Sequence, residues 1–594
     1  MPLEKHLEKL LPLVQKPARY LGGEWNAVKK DHDAVEVRMA FAFPDIYEVG
    51  MSNLGLKIIY EIINGFPEML LERVFAPAAD MEKLMREHSL PLFALESLRP
   101  LREFDFVGFT LQYELSYSNV LNMLDLAGIP LYSEERGAGV PLIIGGGPCA
   151  FNPEPLAPFF DLFLIGDGEE GLPEILQHWV ALSRNGASKE EVLASLAAIE
   201  GVYVPGFYRP RYSPGGSFLG MEPRHPAAPG SIRKRVLRDL DRSCHPLAPV
   251  VPHVAAVHDR GVIELFRGCS RGCRFCQAGK IYRPVRRRSP ETLQKIAREI
   301  LRNTGYDELS LSSLSSCDYP GIAQLLEELN REHQADKVRF TLPSLRLDSF
   351  SVGVAEQFHQ GRRGSLTFAP EAATERLRRV IGKDISEDDL FTAIGAAVAA
   401  GWSAFKLYFM IGLPTETEDD VTAIISLCRE LRRRIRSEQG RWINLTVSAA
   451  TFVPKAHTPF QWEPQLSMEE VEHRQGLLRQ AARRQKGLKL SWSDPGSSFL
   501  EAVFARGDRR LAPLLERAQQ EGCRFDGWSE HFSLQRWLDL FAAMKIDPGE
   551  YAYRRFDETE PLPWDHLKSG VSKKSLLWEY HRSQEDNHSL EVQR

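Results

Sequence analysis

Three cysteines stand close together near the middle of the chain, and their spacing predicts a site for inorganic chemistry. Cys269, Cys273 and Cys276 follow one another as C-x3-C-x2-C within the stretch RGCSRGCRFCQ. The apolar run at residues 262–266, directly before them, predicts a strand that breaks into a loop at the first cysteine. The sequence therefore places three thiols on one short turn at the end of a strand.

Three thiolates on one turn suit a 4Fe-4S cluster that keeps one iron open. Thiolates are the usual ligands of such clusters, so three cysteines can hold three irons and leave the fourth to another ligand. Gly268 and Gly272 allow the tight backbone path that a compact inorganic body requires. A structural zinc site is the alternative. It normally needs four ligands, and Cys244, His245 or Cys317 would supply the fourth.

The motif resembles that of the radical S-adenosylmethionine (SAM) superfamily. The resemblance implies that Cys269, Cys273 and Cys276 ligate the cluster and that the amino and carboxylate groups of SAM chelate the open iron. It also implies that Phe275 lies beside the adenine. The implied reaction is reductive cleavage of SAM to methionine and a 5'-deoxyadenosyl radical, with an electron donor such as flavodoxin or ferredoxin as partner.

Length and composition bound the class of protein. With 594 residues the chain should form three or four domains. Its 74 basic and 80 acidic residues give a net charge of −6, so a nucleic-acid partner is not favoured, although local patches stay open. No apolar run approaches ~18 residues and the N-terminus lacks a signal-peptide layout. With eight cysteines, three of them clustered, a cytoplasmic protein without a membrane partner is expected.

Alternating strand-like and helical runs predict an α/β fold in several parts. An N-terminal helical segment at residues 1–34 precedes a doubly wound, flavodoxin-like domain at residues 35–190. A Pro/Gly-rich connector at residues 191–255 leads to a second alternation at residues 256–465, whose six βα units predict a partial (βα)6 barrel. Residues 466–594 are expected to form a mainly helical C-terminal region with a disordered tail.

The loops that follow the strands of the flavodoxin-like domain form a second candidate site, because open α/β sheets bind ligands at the carboxyl ends of their strands. The loop after the first strand resembles the D-x-H-x-x-G loop of cobalamin-binding domains, with tyrosine at the histidine position. A threonine ends the third strand and glycines follow the fourth, as in those domains. The matching positions are Asp45, Tyr47, Gly50, Thr110, Gly145 and Gly146.

Two interpretations of this domain stay open. In the first, it binds cobalamin without a lower axial imidazole, since Tyr47 replaces the histidine. In the second, the glycines only make tight turns, and the domain positions substrate or closes over the barrel.

Two turns on the predicted barrel rim resemble SAM-binding turns of the superfamily. The turn PEAAT resembles the Glu-Ser-Gly-Ser turn, which implies that Glu371 contacts the amino group or ribose of SAM. The loop GLPTET resembles the Gly-x-Pro-Gly-Glu-Thr loop, which implies that Gly412 and Pro414 line the adenine pocket. Thr415 departs from the pattern, because glycine is usual there.

A dense group of arginines lies between the cysteine motif and the next helix. Most such runs are solvated, but beside an anionic substrate or the SAM carboxylate they would act as bidentate anchors. The group consists of Arg283, Arg286, Arg287 and Arg288.

These features predict a radical SAM enzyme that cleaves SAM at a 4Fe-4S cluster. The resemblance, which covers roughly residues 35–580, implies methylation or rearrangement of an unidentified substrate with the help of cobalamin. One alternative is a radical SAM RNA-modifying enzyme, similar to methylthiotransferases, that works without a corrinoid. Another is an iron-sulfur redox or sensor protein that performs no catalysis.

Overall fold

The computed structural model describes residues 3–343, 345–347 and 365–591, with side chains described as far as residue 587. Among the helices that these residues form, none is both long enough and apolar enough to cross a membrane.

The first part of the chain forms one twisted sheet with strand order β2-β1-β3-β4-β5-β6. Strands β1 to β5 are parallel and β6 is antiparallel to β5. This is the flavodoxin-like order, so the predicted doubly wound domain is confirmed. The strands are β1 (Val37–Phe43), β2 (Met69–Phe75), β3 (Phe106–Thr110), β4 (Leu142–Gly146), β5 (Leu162–Leu164) and β6 (Val202–Tyr203).

Helices cover both faces of this sheet, as its buried strands require. The helix after the first loop begins at Asn53, whose side chain accepts a hydrogen bond from the backbone N–H of Leu56. The helices are Leu3–Leu10, Tyr47–Gly50, Leu54–Asn64, Ala79–Glu87, Tyr117–Leu126, Gly168–Ser183 and Lys189–Leu196.

The proline-rich connector contains a short antiparallel hairpin, β7 (Tyr208–Tyr212) with β8 (Phe218–Pro223), and a two-residue strand, β9 (Ile232–Arg233). Arg235 then bridges in parallel to Gly166 at the end of β5. The connector is therefore attached to the carboxyl edge of the first sheet before the chain enters the barrel.

Seven parallel strands among the described residues form the barrel wall as two adjoining sheets, β10-β13-β14 and β15-β16-β17-β18. A parallel bridge from Leu345 to Phe368 joins them. The six predicted strands are present, and β18, which lies in the predicted C-terminal region, extends the wall. The wall strands are β10 (Gly261–Glu264), β13 (Glu308–Ser312), β14 (Arg339–Thr341), β15 (Leu366–Glu371), β16 (Ala404–Ile411), β17 (Asn444–Thr451) and β18 (Leu488–Trp492). Two short strands, β11 (Phe266–Arg267) and β12 (Arg286–Arg287), form a separate antiparallel pair.

Amphipathic helices pack on the outside of the barrel strands and enclose a second hydrophobic core. Ser289, followed by proline, caps one of them, as its sequence predicts. The helices that contribute to this core are Pro290–Thr304, Ile322–Glu332, Glu387–Ala399, Glu418–Gln439 and Met468–Ala482. Two short helices, Ala278–Ile281 and Glu375–Val380, follow the cysteine loop and β15 and pack in other clusters.

The C-terminal helices join the two larger parts. Buried side chains such as Phe504, Leu515 and Trp537 belong to the same hydrophobic core as the first sheet. Strand β19 (Leu567–Lys568) pairs with β9. The last helix reaches residue 591, within the segment for which the sequence predicts a disordered tail. The final three residues of that tail lie outside the described residues. The helices are Pro495–Ala505, Ala512–Gln520, Leu534–Ala543, Gly549–Ala552 and Lys573–Glu591.

Candidate functional site

A cavity of about 380 Å³ lies where the first sheet meets the barrel. The carboxyl ends of β1, β3, β4 and β5 form one wall, and the end of β10 with the start of the cysteine loop forms the other. Strand ends are where open α/β sheets and barrels both bind ligands. The fold therefore brings two predicted binding edges to face one another across a single space.

The cavity has an apolar side and a charged end. Its apolar lining comes from strand and helix side chains of the first domain, namely Met39, Phe41, Ile58, Ile59 and Leu172. At the charged end, Arg267 pairs with Asp167 at 2.8 Å and with Glu169 at 2.6 Å. A large flat ligand with an apolar body and polar edges would suit such a lining.

Three of the six residues predicted for cobalamin lie on the cavity wall: Thr110, Gly145 and Gly146. A Cβ atom at position 145 would lie 2.5 Å from the ring of Phe163, so only glycine fits there. At position 146 the nearest atom to such a Cβ is the carbonyl oxygen of Leu164 at 3.7 Å, which leaves room for a side chain.

The other three predicted residues lie outside that wall and have protein partners. The carboxylate of Asp45 accepts a hydrogen bond from the indole N–H of Trp528 at 3.0 Å. The buried hydroxyl of Tyr47 donates to Glu24 at 2.9 Å. Gly50 fits closely against a phenylalanine ring. The structure thus separates the first loop, which has structural contacts, from the loops that border the cavity.

The cysteine loop runs from β11 to the short helix Ala278–Ile281. Gly268 opens the loop with φ 89°, and a Cβ there would lie 2.7 Å from the carbonyl oxygens of Tyr282 and Pro284. Only glycine allows this approach. The backbone N–H groups of Arg271 and Gly279 donate to the sulfur atoms of Cys269 and Cys276, at 3.4 and 3.3 Å.

These contacts fit a thiolate-ligated cluster, because N–H donors to sulfur are among the features that tune iron-sulfur sites. Burial raises the pKa of the Cys276 thiol to about 11, and burial also raises the pKa of Cys269. Both thiols would therefore be protonated at neutral pH unless a metal takes the place of the proton.

The alternative of a structural zinc site stays a prediction, and it requires a fourth ligand beside the three cysteines. Of the residues named as a fourth ligand, His245 and Cys317 are buried and Cys244 is exposed.

The predicted SAM residues lie at the carboxyl ends of barrel strands. Glu371 ends β15 with φ 66°, and its carboxylate accepts from Lys383 at 3.0 Å. Gly412 follows β16 with φ 82°, and its N–H donates to Glu416 at 2.7 Å. Thr415 adopts φ 65°. Glycine would take this left-handed conformation without strain, which is the physical reason for the usual residue there.

The remaining two predicted SAM residues are partly buried. Phe275 packs against a small hydrophobic cluster that includes Leu377 and Leu413. Pro414 directly follows Leu413, in the loop after β16. The four predicted SAM residues thus come from three places in the barrel: the cysteine loop, the end of β15 and the loop after β16.

Two of the four predicted arginine anchors, Arg286 and Arg288, are buried and have internal partners, whereas Arg287 is exposed. Arg286 is buried, pairs with Asp167 and donates to the carbonyl of Leu237 at 2.8 Å. Arg288 is buried and donates to the carbonyl of Leu240 at 2.7 Å. These two side chains fasten the connector to the barrel, so neither is open to an anionic substrate.

A largely buried cluster of charges around Lys455 was not predicted. Lys455, in the loop after β17, lies 2.7 Å from Glu114 and 2.8 Å from Glu501. The hydroxyl of Tyr113 donates to Glu501 at 2.9 Å. The unusual proline-framed turn around Lys455 is visible in the sequence, but its acidic partners lie in two distant segments.

Two family models match the chain. One, described as "Radical SAM proteins, N-terminal", matches residues 55–205, and the other, described as "Radical SAM superfamily", matches residues 263–428. Together they match more than half of the chain, and the second includes all three cysteines of the motif. The chain belongs to the radical SAM superfamily.

Two relatives agree in sequence over long stretches. The uncharacterized protein MJ0966 from Methanocaldococcus jannaschii is 25% identical over 506 residues, which are 85% of this chain and 96% of the relative. The uncharacterized methyltransferase PH0819 from Pyrococcus horikoshii is 23% identical over 339 residues, which are 55% of this chain and 64% of the relative.

Two solved structures are similar over nearly the whole chain. The radical SAM methyltransferase TsrM from Kitasatospora setae, with cobalamin and a [4Fe-4S] cluster bound, is 13% identical and has a TM-score of 0.44; the match covers 93% of this chain and 99% of TsrM. The cobalamin-dependent enzyme OxsB, with aqua-cobalamin and SAM bound, is 12% identical with a TM-score of 0.48; that match covers 94% of this chain and 80% of OxsB.

Proposed function

We propose that the protein is a radical SAM enzyme that holds a 4Fe-4S cluster on Cys269, Cys273 and Cys276 and binds SAM on the adjoining rim. When bound and reduced, the cluster supplies the electron that cleaves SAM. Two N–H donors aimed at sulfur atoms of this loop support the ligand assignment. For SAM we assign Phe275, Glu371, Gly412 and Pro414 as binding residues.

We further propose that the cavity between the first sheet and the barrel binds a corrinoid, and that the reaction is methyl transfer. The observation that carries this proposal is the position of the cavity, which adjoins both Gly146 at the end of β4 and Gly268 at the start of the cysteine loop. A corrinoid that carries a methyl group there would lie next to the site at which we propose that SAM is cleaved. The name of the P. horikoshii relative, a methyltransferase, agrees with this reaction class.

The protein's own contribution is binding and orientation. The apolar wall would cover the corrin ring and exclude water, while Thr110 and the charged end would take its polar edge groups. Because the Tyr47 hydroxyl is engaged with Glu24, the loop that contains it would supply no axial ligand. The apolar side chains Met39, Phe41 and Ile58 would therefore hold the corrinoid in place of that loop.

A glycine variant tests the corrinoid site. Gly146→Phe would fill the cavity without a close contact at its own Cβ, because the nearest neighbour of that atom is 3.7 Å away. Gly137→Phe is the matched control, since this exposed glycine has nothing within 4 Å of a Cβ. After incubation with hydroxocobalamin and desalting, the native protein and Gly137→Phe should retain corrinoid absorbance, and Gly146→Phe should lose it. Equal retention by all three, or by none, would contradict the proposal.

The cluster and its chemistry are tested separately. Anaerobically reconstituted protein should contain close to four irons and four sulfides, and Cys269→Ala should lose them. With SAM and a reductant such as flavodoxin or ferredoxin, the native protein should release 5'-deoxyadenosine or S-adenosylhomocysteine. A full cluster without either product would favour the non-catalytic sensor. SAM cleavage without retained corrinoid would favour the corrinoid-free RNA-modifying enzyme.

A further inference from the structure

Two segments on the outside of the barrel are rich in basic residues although the whole chain is acidic. Residues 429–442 and 479–492 together contain eleven arginines and lysines against two glutamates, in a chain whose net charge is −6. We call the surface that they form the basic face. Its basic residues are Arg429, Arg432, Arg433, Arg434, Arg436, Arg441, Arg479, Arg483, Arg484, Lys486 and Lys489.

The side chain of Arg432 shows that the two segments form one surface. Its guanidinium donates to the carbonyl of Ile443 at 3.0 Å and to the carbonyl of Lys486, and it lies 5.2 Å from the centre of the Trp442 ring. One arginine therefore touches the loop before β17 and the turn before β18. The basic face is continuous across that boundary.

Two exposed tryptophans lie within the basic face. The Trp442 side chain is 60% exposed and that of Trp492 is 39% exposed. Arg436 lies 5.6 Å from the centre of the Trp442 ring, and Arg479 lies 5.6 Å from that of Trp492. Exposed tryptophans paired with arginines are an uncommon surface feature, because large aromatic side chains are normally buried.

The turn between helix Met468–Ala482 and β18 carries the most open charge. Arg483, Arg484 and Lys486 are all exposed there, and residues 479–492 contain no acidic residue at all. In the neighbouring segment, by contrast, Arg433 and Arg434 pair with glutamates of their own helix. The turn is therefore the point at which a polyanion would gain the most from binding.

One end of the basic face lies far from the predicted SAM loop. Helix Glu418–Gln439 starts directly after that loop and runs for 22 residues, so its last turn lies about 33 Å from its first residue. The turn with Arg483, Arg484 and Lys486 precedes β18 and lies at the amino ends of the barrel strands, whereas Trp492 ends β18 and lies nearer the carboxyl rim. A redox partner bound at the turn would be remote from the cysteine loop.

We propose that the basic face binds RNA through a single-stranded segment. Lys486 and its two neighbouring arginines would contact phosphates, and the Trp442 and Trp492 rings would stack on bases. Grooves and faces that combine positive charge with exposed aromatic rings are the usual platforms for single strands. An anionic membrane would attract the same charges and would also accept tryptophan rings at its interface, so vesicle binding without RNA binding is the contrary outcome of the test. This proposal does not depend on the proposed function.

The test uses the full chain and a fluorescein-labelled 20-nucleotide single-stranded RNA of mixed sequence, titrated by fluorescence anisotropy at 50 and 200 mM KCl. R483E/R484E/K486E should weaken binding at least tenfold. It should also reduce the slope of log K against log salt by about 2, because each lost phosphate contact accounts for about 0.7. W442A should bind about tenfold more weakly, which is the usual size of one lost base stack.

A matched control carries the same number of charge reversals on another surface. R209E/R211E/R224E changes three exposed arginines in and beside the β7-β8 hairpin and should bind RNA as the native protein does. Thermal unfolding midpoints and iron content should be the same in all variants, which separates this test from that of the enzyme. Native affinity in R483E/R484E/K486E would overturn the proposal. So would native affinity in W442A, which would indicate a general polyanion surface, or binding to phosphatidylserine vesicles without RNA binding.

Discussion

Two arginine-rich stretches of this chain resemble each other in sequence and differ in the structure. In the first, Arg286 and Arg288 are buried and bonded to the connector. In the second, Arg483 and Arg484 are exposed on a turn without acidic neighbours in the chain. The first stretch lies beside the cysteine motif and invites a functional interpretation, whereas the second lies in a segment of no evident interest.

The difference shows that the role of an arginine depends on what the fold packs against it. A planar guanidinium can satisfy several backbone carbonyls at once, so a buried arginine can join segments that are distant in sequence. An exposed arginine keeps its hydration and stays available to a partner. A buried arginine with internal hydrogen bonds therefore contributes to the stability of the fold, whereas an exposed arginine can contribute to the binding of a charged partner.

Arg286→Met should have the largest effect. It removes one of two cationic partners of the buried Asp167 and leaves the Leu237 carbonyl without its donor. We expect the free energy of unfolding to fall by about 3 kcal/mol, the lower end of the usual cost of breaking a buried ion pair, since Arg267 remains. Urea unfolding measures the change. A loss below about 1 kcal/mol would mean that this arginine is not a structural link.

Acid should weaken the same link. Burial alone would raise the pKa of Asp167, but Arg267 and Arg286 outweigh it and hold that pKa below its usual value. Because the folded pKa is the lower one, the ionised form stabilises the fold above about pH 4, and this contribution is lost as the pH falls through the folded pKa. Urea midpoints measured from pH 5 to pH 3 should therefore decline more steeply in the native protein than in Asp167→Asn. Parallel curves would contradict this assignment.

Arg432→Ala should have an intermediate effect on stability. This arginine is half-buried, so it both links segments of the protein and contributes to the basic face. Its loss removes hydrogen bonds to the carbonyls of Ile443 and Lys486 and the contact with Trp442. We expect a loss of about 1 to 2 kcal/mol in the free energy of unfolding. The RNA affinity of the same variant should fall as well. A change in the free energy of unfolding alone would mean that Arg432 is only a structural link, and a change in RNA affinity alone would mean that it serves only binding.

The smallest effect on stability is expected for R483Q/R484Q/K486Q. These side chains are exposed, so the free energy of unfolding should change by no more than about 0.5 kcal/mol. The same urea series measures it. A loss above about 2 kcal/mol would show that the turn is part of the structural framework and would remove the contrast between the two stretches.

The predictions from sequence succeeded where a local pattern carries the whole signal. The strand runs and their order of appearance predict the flavodoxin-like sheet, and the spacing of the cysteines predicts their common loop. The resemblance of the first loop to cobalamin domains is equally local, yet Asp45 and Tyr47 are engaged by Trp528 and Glu24. Those partners come from remote parts of the chain, so no inspection of the loop alone finds them.

The sequence by itself determined the elements, their order and the position of three cysteines on one loop, because backbone preferences and hydrophobic periodicity act over a few residues. Only the tertiary structure decided which strand ends face each other across the cavity, and that Lys455 lies half-buried between two glutamates. It also decided that Arg432 joins two basic segments that lie about fifty residues apart in the sequence. The physical reason is that burial, ion pairing and surface charge depend on contacts between segments hundreds of residues apart, and composition averages over them.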